Sequence, residues 1–143
     1  MRILFGALGL ALLAGLAGCA TSVTPLSQAT PVPVDELFAH QSKPQEPSGK
    51  LTVVRDSGVR GSGCDVVVYI NGKKSAKVGP GQRASFFLPV GQPDVGIGLT
   101  DSGICAGMAV RSIAGNVREG KESLYRISVD MSGAYIGPYL EYN

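Results

Sequence analysis

The chain has 143 residues, the length of a single domain. Its hydrophobic content of 44% excludes a disordered chain, and a formal net charge of +2 excludes nucleic-acid binding by bulk electrostatics. Glycine is frequent at 20 residues, tryptophan is absent, and only 17% of residues are charged, against a usual figure of about 25%.

The first element in chain order is an address. Arg2 supplies a positive start, Ile3 to Leu16 an apolar run, and Ala17 and Gly18 the small residues of a cleavage site before Cys19. The run is too short for a spanning helix, which needs roughly 20 apolar residues. The tetrad Leu16-Ala17-Gly18-Cys19 resembles the lipobox of bacterial lipoprotein precursors. That resemblance implies cleavage before Cys19, diacylation of its thiol and acylation of the new amine. Each buried CH₂ then contributes about 0.8 kcal/mol, and two or more chains make the anchorage stable. Ala20 stands where an aspartate would favour inner-membrane retention. The resemblance therefore implies an outer-membrane, lipid-anchored protein facing the periplasm.

The remaining chain divides by composition. Residues 19–48 hold five prolines (Pro25, Pro31, Pro33, Pro44 and Pro47) and no glycine, whereas residues 49–143 hold sixteen glycines. The shift predicts a lipidated cysteine and Pro-rich tether over 19–48, followed by a globular domain over 49–143. About thirty flexible residues would reach on the order of 30 Å. Within the tether, Val34, Leu37 and Phe38 fall at i, i+3 and i+4, which predicts one helical turn in 34–41 that docks on the domain or on a partner. His40, the single histidine, reads as a solvated linker residue.

The domain reads as short strands. Leu51–Arg55 is β-branched, and Asp65–Ile70 is the strongest strand, followed at once by Asn71-Gly72. That dipeptide favours a type I′ hairpin turn, because both central residues need positive φ. Lys73–Val78 returns, Gly79-Pro80-Gly81 breaks it, and Arg83–Leu88 follows up to the turn at Pro89 and Gly91. Residues 95–100 and 125–130 alternate apolar and polar with a period of two, while 108–117 and 135–142 are weaker strands, the last limited by Pro138. Eight strands at this spacing predict an all-β fold, a small antiparallel β-sandwich of about 7–8 strands. Cys64 and Cys105 form an even pair in an oxidising compartment and predict a disulfide, with a redox pair or metal ligands as the alternatives. Closing a loop of about 40 residues contributes roughly 4 kcal/mol in the chain-entropy model.

The segments 67–74, 79–82 and 86–91 resemble small bacterial β-sandwich repeats of the PEGA type and a related lipoprotein family of unknown function. The resemblance covers about residues 51–100, with Val90 where PEGA repeats carry a glutamate. It implies a transthyretin-like or prealbumin-like sandwich used as a binding or spacer module.

Chemistry is sparse. Neither Gly-x-Ser-x-Gly nor Ser-x-x-Lys occurs, and one histidine in a tether is a poor general base. The cysteines and histidine do not cluster as metal ligands, and Gly72-Lys73-Lys74 lacks the spacing of a phosphate loop. Asp56, Asp65, Asp101 and Asp130 are candidate paired carboxylates, but aspartates at strand ends more often form turns. Two features suggest a partner surface. Lys73, Lys74, Lys77 and Arg83 group on one hairpin, as an anion contact or an edge guarded against aggregation. Gly96 and Gly98 in alternate positions suggest a bulge, a roof of Tyr135 or Tyr139, or a flat groove for a partner strand. The sequence thus predicts a non-enzymatic envelope lipoprotein with no cofactor, no metal, no nucleic acid and no small-molecule substrate. Its partners would be the membrane, through Cys19, and an envelope protein. The alternatives are an accessory subunit of a secretion or envelope-assembly complex, with the loop 56–63 as its contact, or a glycan- or peptidoglycan-binding module.

Overall fold

The computed structural model describes residues 21–58, 63–99, 110–130 and 132–140. Cys19, Asp101 and Cys105 lie outside them, as does the segment 1–18 expected to be a signal peptide. Among the described residues there are nine strands: β1 (Thr30–Pro31), β2 (Ser48–Arg55), β3 (Val66–Ile70), β4 (Lys73–Val78), β5 (Gln82–Pro89), β6 (Asp94–Leu99), β7 (Arg111–Ala114), β8 (Glu122–Asp130) and β9 (Gly133–Pro138). They form an all-β sandwich of two sheets, one in the order β1-β5-β2-β8-β9 and the other β4-β3-β6-β7.

Local turn chemistry sets the strand boundaries. Asn71 and Gly72 carry φ of 50° and 77°, the two positive values that the hairpin between β3 and β4 requires. Every successive strand from β2 to β9 reverses direction. Strands an odd number of steps apart therefore pair antiparallel, as β2 with β5 and β3 with β6 do. β2 and β8 are six steps apart and pair in parallel, so the sheet is mixed where a wholly antiparallel one was expected.

The core follows the period of two. Leu51 and Val53 face Phe86 and Ala84 across β2 and β5, Tyr125, Ile127 and Val129 extend the layer, and Val66, Val68, Ile70, Val95 and Ile97 oppose it from the second sheet. Arg55 has the same parity as Leu51 and Val53 and is 1% exposed. Its Nη1 donates to the carbonyls of Cys64 at 2.7 Å and Val78 at 2.8 Å, which ties the end of one sheet to the other. Burial lowers the Arg55 pKa, with Asp65 and Asp56 opposing the shift.

The segment expected as a tether is laid against the sandwich from Ser22 onward. Ser22 bridges Ser57 through two backbone bonds, and the Thr24 hydroxyl donates to the Arg55 carbonyl. Thr30–Pro31 pairs in parallel with β5. Beyond it, the Phe87 amide donates to His40 O, and the Val90 amide to Pro47 O. The same segment reaches the other sheet, where Leu37 bridges Ala76 and the Phe38 amide donates to Ser75 O. Residues 30–47 thus fill the seam between β5 and β4 and bury Val32 in the core. Proline suits such an edge, because a strand there needs its donors only at alternate positions. The predicted turn exists as a short 3₁₀ helix, Val34–Glu36. Leu37 packs on the core, but Val34 points outward at 84% exposure.

Candidate functional site

The seam segment and the outer face of the five-stranded sheet make a cationic trough. Across that face, residues align in rows by register: Phe87, Lys50 and Glu122; Ser85, Thr52 and Leu124; Arg83, Val54 and Arg126. The seam segment walls the trough on the β5 side. Two shallow grooves of about 220 Å³ each open here and share Lys50. One is lined by Lys43, Lys50, Phe87, Lys121 and Glu122, the other by Pro31, Leu37, Gln41, Lys50, Arg83 and Ser85. Phe87 supplies an aromatic surface, with Lys43 Nζ 5.9 Å from its ring centre. Lys50 pairs with Glu122 at 3.4 Å, and Glu122 also accepts from the Thr52 hydroxyl. Lys43, Lys50, Lys121 and Arg83 against one carboxylate leave the trough net positive. Its chemistry suits an extended anionic chain with an apolar or sugar-like surface.

The predicted basic group is divided by the fold. Lys73, Lys74 and Lys77 lie on β4, whereas Arg83 lies on β5 in the other sheet and joins the trough. A β-bulge interrupts the register between Val68 and Tyr69, so that Lys74 pairs with Tyr69 while Ala76 pairs with Val68. The extra residue, Ser75, donates its hydroxyl to Lys73 O. Lys74 and Lys77, three apart, would otherwise point to opposite faces; the bulge sets both opposite outward-facing residues. Lys74 Nζ then lies 5.1 Å from the Phe38 ring centre, and Lys77 pairs with Glu36 at 3.8 Å. No sequence signal marks the bulge beyond a serine between lysines.

Gly96 and Gly98 are buried in β6, Gly96 paired with both β3 and β7 and Gly98 with β3, so neither lines an open groove for a partner strand. A Cβ on Gly96 or Gly98 would lie 3.2 Å from Val110, so the roof is Val110 beside Tyr69 and Ser112, in place of Tyr135 or Tyr139. Tyr135 is instead on β9, with the Arg111 guanidinium 4.2 Å from its ring centre and its hydroxyl bonded to Ser132. Those two contacts lower the Tyr135 pKa, and bonds from Ser132 lower that of Asp130.

The carboxylates are separated. Asp56 is 2% exposed and accepts from Arg126 Nε at 2.7 Å, Arg126 Nη2 at 2.6 Å and the Thr21 hydroxyl at 2.8 Å. The bond to Asp56 raises the Arg126 pKa. Asp65 is exposed, and Asp130 caps the turn at Ser132. Asp56 and Ser57 are thus pinned, so the start of the loop 56–63 offers no protruding contact; residues 59–62 lie outside the described ones. His40 is half-buried with φ of 60°, not solvated. Among the described residues its Nε2 has no hydrogen-bond partner, and burial with Lys73 nearby lowers its pKa. Cys64 is disulfide-bonded, and the other two cysteines, Cys19 and Cys105, lie outside the described residues.

No protein-family model, curated protein or solved structure matches the chain. Among the described residues, no helix is long and apolar enough to cross a membrane.

Proposed function

We propose that this chain is a lipoprotein held on the outer membrane by acylated Cys19, and that its sandwich is a non-enzymatic interaction module facing the periplasm. The lipobox-like Leu16-Ala17-Gly18-Cys19 carries the anchoring half of the reading. The trough carries the interaction half: four cations and an aromatic ring line it, with Glu122 the one opposing carboxylate among the described lining residues. Cys19 cannot both bear a thioether-linked lipid and hold a disulfide, so the partner of Cys64 in this reading is Cys105.

Replacing Cys19 with alanine should release the protein from membranes; continued attachment would sink the anchored reading. For the module, a photocrosslinker at position 50 or 121 in intact cells should capture an envelope protein. Phe87 beneath Lys43 favours a second reading, in which the trough holds an acidic glycan strand. Recovery of sugar chains from the same crosslink would select it. Loss of neither yield nor pattern in a Lys43→Glu, Lys121→Glu variant would remove the trough from both.

A further inference from the structure

The described chain begins almost at the anchor. Between Cys19 and Thr21 there are two residue steps, on the order of 7 Å fully extended. Thr21 is already fixed, its hydroxyl on buried Asp56, and Ser22 is bonded twice to Ser57. Asp56 in turn is clamped by Arg126, so the chain from Thr21 onward, two residues after Cys19, belongs to the sandwich. The headgroup layer is itself about 5–8 Å deep. From the anchored-lipoprotein reading, on which this rests, we infer that the protein has no free tether. The pole of the sandwich that carries Ser22, Ser57 and Pro80 is held flat on the bilayer surface.

Two features of that pole fit contact with lipid headgroups. Val23 is 42% exposed beside the attachment point, an apolar side chain left at the bilayer surface. Two of the pole's charges are consumed internally, Arg55 buried on carbonyls and Asp56 paired with Arg126, while Asp65 is exposed. The β4–β5 turn there is Gly79-Pro80-Gly81, which allows close approach without a charge to desolvate. The orientation also follows. β2 reaches the pole at its Arg55 end and extends back from it for eight residues, roughly 23 Å, so the cationic end of the trough at Lys43, Lys50 and Lys121 faces away from the membrane. Acidic material beyond the headgroups, not the headgroups themselves, meets those lysines.

The test uses the full membrane-attached chain in phosphatidylethanolamine and phosphatidylglycerol vesicles that contain a headgroup-spin-labelled lipid. A fluorescent amino acid replaces Pro80 on the inferred contact pole or Glu119 on the opposite one. Position 80 should be quenched several-fold more than position 119. A flexible Gly/Ser insert of about fifteen residues between Ala20 and Thr21 adds roughly 20 Å of reach and should bring the two to equality. A probe at exposed Asp65, on the same pole as Pro80, repeats the measurement should position 80 disturb folding. Equal quenching without the insert, in protein that floats with the vesicles, overturns this inference and leaves the lipid anchor standing. Protein that does not float overturns the anchor and this inference together.

Discussion

Removal of the Arg126 guanidinium is the sharpest probe of how the Asp56 end of the sandwich is held. Asp56 is 2% exposed and receives two parallel donors from Arg126, at 2.7 and 2.6 Å. Breaking a buried ion pair by deleting one partner costs about 3–5 kcal/mol, because the other charge stays buried. Two features reduce that here. The Arg126 side chain is 35% exposed, so water already screens the pair, and Arg55 leaves a second cation near Asp56. Arg126→Ala should therefore cost about 2–3 kcal/mol, which lowers Tm by roughly 8–12 °C for a domain of this size. Arg126→Lys, which keeps the charge and loses the fork, should cost about half as much. Asp56→Asn in the Arg126→Ala background should recover part of the loss, since no uncompensated charge remains. Urea denaturation with an unchanged slope measures each value. A loss below about 1 kcal/mol in Arg126→Ala would refute the argument, because a carboxylate at this depth needs its cation.

Three further outcomes are expected. Gly49→Ala would ordinarily stabilise a strand by about 0.4–1 kcal/mol, but its Cβ would lie 2.3 Å from the Arg118 carbonyl oxygen. The sign should reverse to a loss of about 1–3 kcal/mol, read from the denaturation midpoint. The lowered pKa of His40 means that the unfolded chain binds its proton first as pH falls. Stability should be fully present above about pH 6.5, the unfolded value, and decline below it toward the folded pKa. His40→Asn, which tolerates the positive φ, should flatten that slope. Finally, nonreducing peptide mapping should join Cys64 to Cys105, and Cys105→Ser should cost roughly 4 kcal/mol; a peptide joining Cys64 to Cys19 would remove the lipid from Cys19.

How much was legible depends on how local the cause is. Lys73–Val78 was readable to the residue, because Asn71-Gly72 before it and Gly79-Pro80-Gly81 after it act within four residues. The alternation in 125–130 marked its core face correctly, although the strand begins earlier, at Glu122. The segment 19–48 misled, since five prolines without glycine resemble a linker. Yet an edge seam uses few amide donors, and the carbonyl of Pro47 accepts where its nitrogen cannot donate. The trough was invisible for a different reason: Lys43, Lys50, Phe87 and Lys121 come from four separate stretches. Gly96 and Gly98 suggested an opening because glycine reports only that something comes close, and here the neighbour is Val110.

By itself the sequence determined an all-β chain, the places where its hairpins turn and the inward face of most strands, all consequences of backbone sterics and of burial at a period of two. It also carries the lipobox-like tetrad. Only the tertiary structure decided that β2 and β8 run parallel, that residues 30–47 close the seam between the sheets, and that Arg55 points inward to join them. Those choices depend on which edges and carbonyls remain unsatisfied once the sheets have packed, which no single stretch of sequence contains.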